Sequence, residues 1–237
     1  MGRGLRGLRP ASIVSEIPRF TLFLFDGAGT TLLVLAGALG TGFLLGIPVG
    51  ILHVFGPWPV RLVLRGLDLV LRGFPAIVLL FLFYFGLGSV GGVDLSSLQA
   101  TILALGLRSA AYQGQLVRGA IEMVEPGQLE AARSLGMPLV TALRLIVLPQ
   151  AIRCALPGFA NEYAVVLKDT ALAFTVGVVE MMSQAKFLAA STRQLTLVYL
   201  LVAVVYWILT QAGLLVFSAT ERRTRIPGLG TDLRRVR

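Results

Sequence analysis

Three stretches of this chain carry no charged side chain for longer than a bilayer is thick: Gly27 to Leu52, Gly73 to Val93 and Gln194 to Thr220. A helix needs about 20 residues to cross a hydrocarbon core of roughly 30 Å, and inside that core the backbone must satisfy its own hydrogen bonds. All three are expected to be spanning helices. Two further stretches, from about Leu95 to Ala120 and from about Leu145 to Lys168, are apolar but interrupted by Arg108, Arg118, Arg153 and Glu162. Such charges persist at membrane depth when neighbouring helices shield them. The reading is an all-α integral membrane protein with five transmembrane helices.

Of the 21 basic residues, all but Lys168 and Lys186 are arginine, and the net charge is +9. In a soluble protein that excess would suggest nucleic acid; here topology explains it, because cytoplasmic loops collect Lys and Arg. Five spans put the termini on opposite sides. With the C-terminus inside, eleven arginines fall in cytoplasmic segments: Arg61, Arg65, Arg118, Arg133, Arg144, Arg222, Arg223, Arg225, Arg234, Arg235 and Arg237. The other side receives six basic residues, four of them N-terminal arginines. The N-terminus is therefore expected outside and the C-terminus inside, with no nucleic-acid partner.

Residues 1–26 mix apolar side chains with Glu16 and Arg19 and contain Pro18, which suits an interfacial segment broken at the proline. The apolar run from Gly27 exceeds the ~7–15 residues of a signal-peptide core, so it is read as the first span. Residues 27–220 form a single transmembrane domain and 221–237 a basic cytoplasmic tail. In the first span Gly42, Gly46 and Gly50 make a small-residue ridge for close approach of another helix. Pro48 is expected to kink that helix or mark its end. His53 has no second histidine with which to share a metal, and Cys154 sits in an apolar stretch as a structural thiol. No metal site is expected.

The segment Ile121 to Leu148 is too amphipathic to span. Pro126 suits the first turn of a helix, Gln128 to Leu135 are good helix formers, Gly136 can take the left-handed conformation that ends one, and Pro138 opens the next. Two short helices follow, an L-shaped projection with Leu129, Ala132 and Leu135 on one face. Such a shape suits a groove on a soluble partner.

Here the sequence resembles a known family. Glu130-Ala131-Ala132, Gly136, Ile146 and Leu148-Pro149 match the EAA loop of bacterial ATP-binding-cassette importer permeases at full spacing. Arg72-Gly73-Phe74-Pro75, Phe81 to Leu87, Ala111-Tyr112, Arg118-Gly119, Pro126-Gly127-Gln128, Ala155-Leu156-Pro157, Asn161 and Leu167-Lys168-Asp169-Thr170 resemble its polar amino-acid branch. Phe74, Leu79 and Gln115 stand where that branch has Thr, Gln and Glu.

The resemblance implies a permease core whose cytoplasmic coupling loop, about 121–144, docks on an ATP-hydrolysing subunit. It also implies two copies of that subunit, a second permease (self or homologue) and an extracytoplasmic amino-acid-binding protein. ATP and Mg would lie on the partner; this chain would carry no cofactor and no catalytic residue. Glu130 would hold the lever by pairing with a basic group on the partner or by capping within the loop, and Gly136 would set its elbow.

On an unbroken fourth helix, Glu162 and Asp169 fall within about 20° of each other, with Asn161 and Lys168 as the adjacent stripe. That side is expected to line a cavity for a cationic or ammonium group, with Asn161 and Thr170 offering hydrogen bonds. The alternative for Glu162 is pairing with Arg153 or Arg108. Ala171 to Val179 is too short to span and suits a short re-entrant segment.

An acidic lining favours polar, basic amino acids. A stand-alone dimeric secondary transporter or channel for small cationic solutes is the rival, but it should show paired repeats. An enzyme is disfavoured, because the chain has no HExxH, GxSxG or Walker Lys-Ser/Thr pair.

Overall fold

A computed structural model describes residues 10–87, 92 and 94–224, with side chains from residue 24 onward. Residues 1–9 and 225–237, parts of the N-terminal segment and the basic tail, lie outside the described residues. The described chain is helical throughout, with no strand among the described residues.

Helix α1 (Pro10–Phe55) is followed by α2 (Trp58–Gly73) and by α3 (Ala76–Phe81), which runs into a π-helical turn over Leu82–Gly86. Helix α4 (Ser97–Glu122) leads to a short α5 (Pro126–Ser134) and α6 (Leu139–Ala142). A π-helical turn (Leu143–Val147) joins α6 to α7 (Leu148–Asp169), and a 3-10 helix (Thr170–Val176) precedes α8 (Met181–Thr192) and α9 (Leu195–Thr224).

Three helical runs are long and apolar enough to cross a membrane: Leu24–Phe55, Leu139–Val176 and Leu195–Thr224. The stretch from Gly73 to Val93 is not the uninterrupted span its composition suggests. Gly73 ends α2, and Phe74 and Pro75 are extended, since a residue before proline is pushed out of the helical region. The chain bends by 105° there, and Trp58–Gly73 with Ala76–Gly86 passes the same test only as a bent pair. Helix α2, which the charge count treated as a loop, is thus a structural element. Helix α4 has 26 residues and the length to cross, about 39 Å, but it carries its polar side chains into the bundle. Pro18 and Pro48 both lie inside a continuous α1, so neither ends it.

The glycine ridge seats α1 on α4. A Cβ at Gly46 would stand 2.9 Å from the Ala110 carbonyl oxygen and 3.1 Å from the Gly114 nitrogen; one at Gly50 would stand 2.6 Å from Val117. With no hydrophobic force between helices in lipid, this backbone approach supplies the packing. Leucine at Gly46 is expected to destabilise the protein by at least about 1–3 kcal/mol, the range for overpacking. An unchanged apparent melting temperature in detergent would refute that seam.

Around the seam, Val34, Leu35, Leu105, Val166 and Leu167 are buried together, and Val117, Ile121, Leu143, Val147 and Phe159 form a second cluster near the end of α4. Leu24, Ala28, Met181, Ala185, Val198 and Val202 join α1, α8 and α9. The segment after Thr170 buries Thr170, Ala173 and Val176 and turns at Gly177, whose φ is +87°. Glu180 follows it as the N-cap of α8.

Candidate functional site

Helix α7 presents its polar residues on two sides. Glu162 and Thr170 are buried and Asp169 is half-buried, whereas Asn161 and Lys168 are exposed. The carboxylates thus share the inward side, as their spacing requires, and the adjacent stripe turns outward from this chain.

Helix α4 faces the carboxylates with Arg108, Ser109 and Tyr112, one helical turn on one face. Arg108 Nη1 donates to Asp169 Oδ2 at 2.6 Å. Its guanidinium lies 5.0 Å from the centre of the Tyr112 ring, and the Arg72 guanidinium, from the last turn of α2, lies 4.8 Å from the same centre. Both distances fall in the range of cation–π attraction. Glu162 faces Ser109 and the charges of Arg108, Asp169 and Arg72. Arg153 is exposed on α7, so Arg108 is the arginine that meets this cluster, and it pairs most closely with Asp169.

Two buried atoms here lack a hydrogen-bond partner: Oε1 of Glu162 and Nε of Arg108. Buried polar groups are nearly always paired, and an unpaired one is unfavourable by about 1–3 kcal/mol. The site therefore holds one free acceptor on an acid and one free donor on a base.

The segment from α5 to α7 begins outside this cluster. Gly136 takes φ +78°, Met137 N–H donates to the Ala132 carbonyl at 3.1 Å and Gly136 N–H to the Arg133 carbonyl at 2.9 Å. This is the paired-bond ending of a helix in which the left-handed residue is glycine. Ala132 is buried and Leu129 packs with the cluster near the end of α4. Leu135, expected on that face, is instead 84% exposed, because it is the C-cap where the chain already leaves the helix. Glu130 and Ala131 are exposed, and among the described residues none pairs with the Glu130 carboxylate. Its capping within the loop is therefore not observed. Ile146 lies in the π-helical turn, with Leu148 and Pro149 opening α7, so the arm continues into the helix that bears Glu162 and Asp169.

Sequence reasoning left two polar sites unused. Glu180 is fully buried and caps α8 by accepting from Met182 N–H and Ser183 N–H, each at 2.8 Å, and from Tyr206 at 2.9 Å. An acid followed by a fresh helical run is a cap signal, and it was hidden by the apolar residues before it. His53 forms a buried pair with Asp68 at 2.8 Å, and Gln115 donates to the same carboxylate, tying α1, α2 and α4 together.

Charged groups are thus enclosed between apolar helices, and an exposed arm that turns at Gly136 leads into the helix that bears two of them. Residues 42–226 match the family described as binding-protein-dependent transport system inner membrane component. The probable amino-acid permease protein YxeN of Bacillus subtilis (strain 168) is 45% identical over 59% of this chain and 63% of its own length. That match spans less than two thirds of the relative. The histidine/lysine/arginine/ornithine transport system permease protein HisM of Salmonella typhimurium (strain LT2) is 33% identical over 85% of this chain and 89% of its own length. A crystal structure of an amino acid ABC transporter with histidines superposes with a TM-score of 0.78 at 32% identity, covering 92% of this chain and 99% of that one. This chain belongs to the family of binding-protein-dependent transport system inner membrane components.

Proposed function

We propose that this chain is the permease subunit of an ATP-binding-cassette importer and forms the pathway for polar, basic amino acids. Family membership supports the importer reading over a stand-alone transporter or channel. The family works in the inner membrane with ATPase and substrate-binding partners, and ATP is consumed by the partner.

The specificity rests on one observation: Glu162 Oε1 and Arg108 Nε are buried and unpaired. An amino acid with a cationic side chain supplies both missing partners, an ammonium or guanidinium for the acid and a carboxylate for the base. Glu162 takes the cation, while Asp169 and Thr170 border the site. Asn161 and Lys168, exposed on this chain, face the pathway shared with a second permease.

Helices α1, α2 with α3, α4, α6 with α7, and α9 make five crossings, N-terminus outside and C-terminus inside. The loop from about 121 to 144 lies in the cytoplasm. There Glu130, Ala131, Ala132 and Gly136 dock on the ATPase, one of two copies, and Ile146, Leu148 and Pro149 carry the motion into α7. A lever of this kind transmits force only as a two-state element touching both ends.

Gentle detergent extraction tests the whole reading. The chain is expected to co-purify with a nucleotide-hydrolysing subunit whose turnover rises severalfold with L-arginine, L-lysine or L-histidine. Uptake by the purified chain alone, without nucleotide, would overturn it.

A further inference from the structure

Tyr112 stands one turn beyond Arg108 on α4 and is half-buried. The Arg108 guanidinium carbon lies 5.0 Å from the centre of its ring, and the Arg72 guanidinium carbon lies 4.8 Å from the same point. The Tyr112 hydroxyl makes no hydrogen bond among the described residues, so what it offers these two cations is its ring. The bonding of Arg108 shows what that ring adds. Nη1 donates to one oxygen of Asp169 at 2.6 Å, while Nε is buried without a partner. A planar guanidinium held at one nitrogen can pivot about that bond, and its Nε–H swings with it. An aromatic face against the guanidinium removes this freedom, because the ring quadrupole attracts the cation to the face. An aliphatic side chain fills similar space but has no such face. Arg72 comes from the last turn of α2, just before the extended Phe74 and Pro75. It is exposed and forms no ion pair among the described residues, so its contact with the ring sets a second, unpaired positive charge near the first.

We infer that Tyr112 is a positioning residue for substrate binding: its ring fixes the plane of the Arg108 guanidinium so that Nε–H meets the carboxylate of the amino acid, and holds Arg72 near it as a second positive charge. The inference rests on the reading of Arg108 given above. Without the ring, Arg108 keeps its bond to Asp169 but turns about it, and Arg72, at the bend of α2, loses its hold on α4. Binding then weakens for ligands that carry a carboxylate, although every group that touches the carboxylate is still present.

The test uses the complex purified with its ATPase partner and compares L-arginine with agmatine, the same cationic chain without the carboxylate. Tyr112→Leu is expected to weaken L-arginine binding about five- to tenfold, the scale of a partly desolvated cation–π contact. Agmatine, followed as a competitor, should stay within twofold. Tyr112→Phe, which keeps the ring, should restore L-arginine binding. Arg108→Lys keeps a charge for Asp169 but has no plane to fix; in that background Tyr112→Leu should change L-arginine binding less than twofold.

Co-purification of the ATPase subunit reports assembly; if Tyr112→Leu does not assemble, Tyr112→Met carries the test, and if agmatine does not compete, the Arg108→Lys background does. Unchanged L-arginine binding in Tyr112→Leu, equal losses for agmatine, no recovery in Tyr112→Phe, or a full additional loss in Arg108→Lys would overturn the positioning role. If Arg108→Lys removes the preference for L-arginine over agmatine and Tyr112→Leu does not alter it, the role of Tyr112 fails and the reading of the site stands. If Arg108→Lys keeps that preference intact, the reading of Arg108 fails and the role of Tyr112 with it.

Discussion

Proline at Gly136 is expected to leave the permease inserted and assembled but to reduce substrate-stimulated ATP hydrolysis to its basal rate, a loss of at least tenfold. Gly136 holds φ at +78°, a region closed to proline, whose ring fixes φ near −65°. The substitution also removes the N–H that bonds the Arg133 carbonyl. The helix before the elbow then cannot end where it does, and the angle between α5 and α6 changes. Alanine offers a graded control, because a single non-glycine residue in the left-handed region costs roughly 1–2 kcal/mol and nothing stands within 4 Å of a Cβ added there. Gly136→Ala should retain most of the coupling. Glu130→Lys tests the proposed outward contact: its carboxylate is exposed and has no partner in this chain among the described residues, so on the proposed docking a reversed charge acts on the ATPase subunit. ATP turnover in reconstituted vesicles decides the matter; normal stimulation in both Gly136→Pro and Glu130→Lys would refute the lever.

Glu162→Gln is expected to weaken a cationic amino acid by about a hundredfold, close to 3 kcal/mol for a hydrogen bond between charged groups. Glutamine is nearly the same size, and Glu162 is only 4% exposed, so the helix should pack as before and the ATPase subunit should still co-purify. A neutral amino acid of similar length should lose far less. Arg108 would still pair with Asp169 at 2.6 Å, which keeps α4 on α7 while the charge opposite the cation is gone. Uptake kinetics identical to those of the unsubstituted protein would remove Glu162 from the site.

Much of this was legible in the residues themselves. The elbow at Gly136, the proline-led start of α5 and the seating of Gly42, Gly46 and Gly50 follow from local chemistry, because backbone dihedrals and the lack of a Cβ act within a few residues. The shared side of Glu162 and Asp169 follows from helical period alone. The bend at Phe74 and Pro75 was signalled as well, but hydropathy counted charges through it and read one span where the chain turns by 105°. Glu180 escaped notice because apolar residues precede the cap and two of its partners, Thr31 and Tyr206, lie in distant helices.

By itself the sequence determined that the chain lives in a bilayer, where the two short helices around Gly136 begin and end, and that a charged stripe runs along α7. Those are properties of composition and of neighbours close along the chain. Only the tertiary structure decided which residues gather around that stripe. Arg72, Arg108, Ser109 and Tyr112 gather with Glu162 and Asp169 across helix contacts, and the outward turn of Asn161 and Lys168 depends on which side of α7 meets α4. Helical period fixes relative angles on one rod, whereas the face that turns inward is chosen by packing between rods.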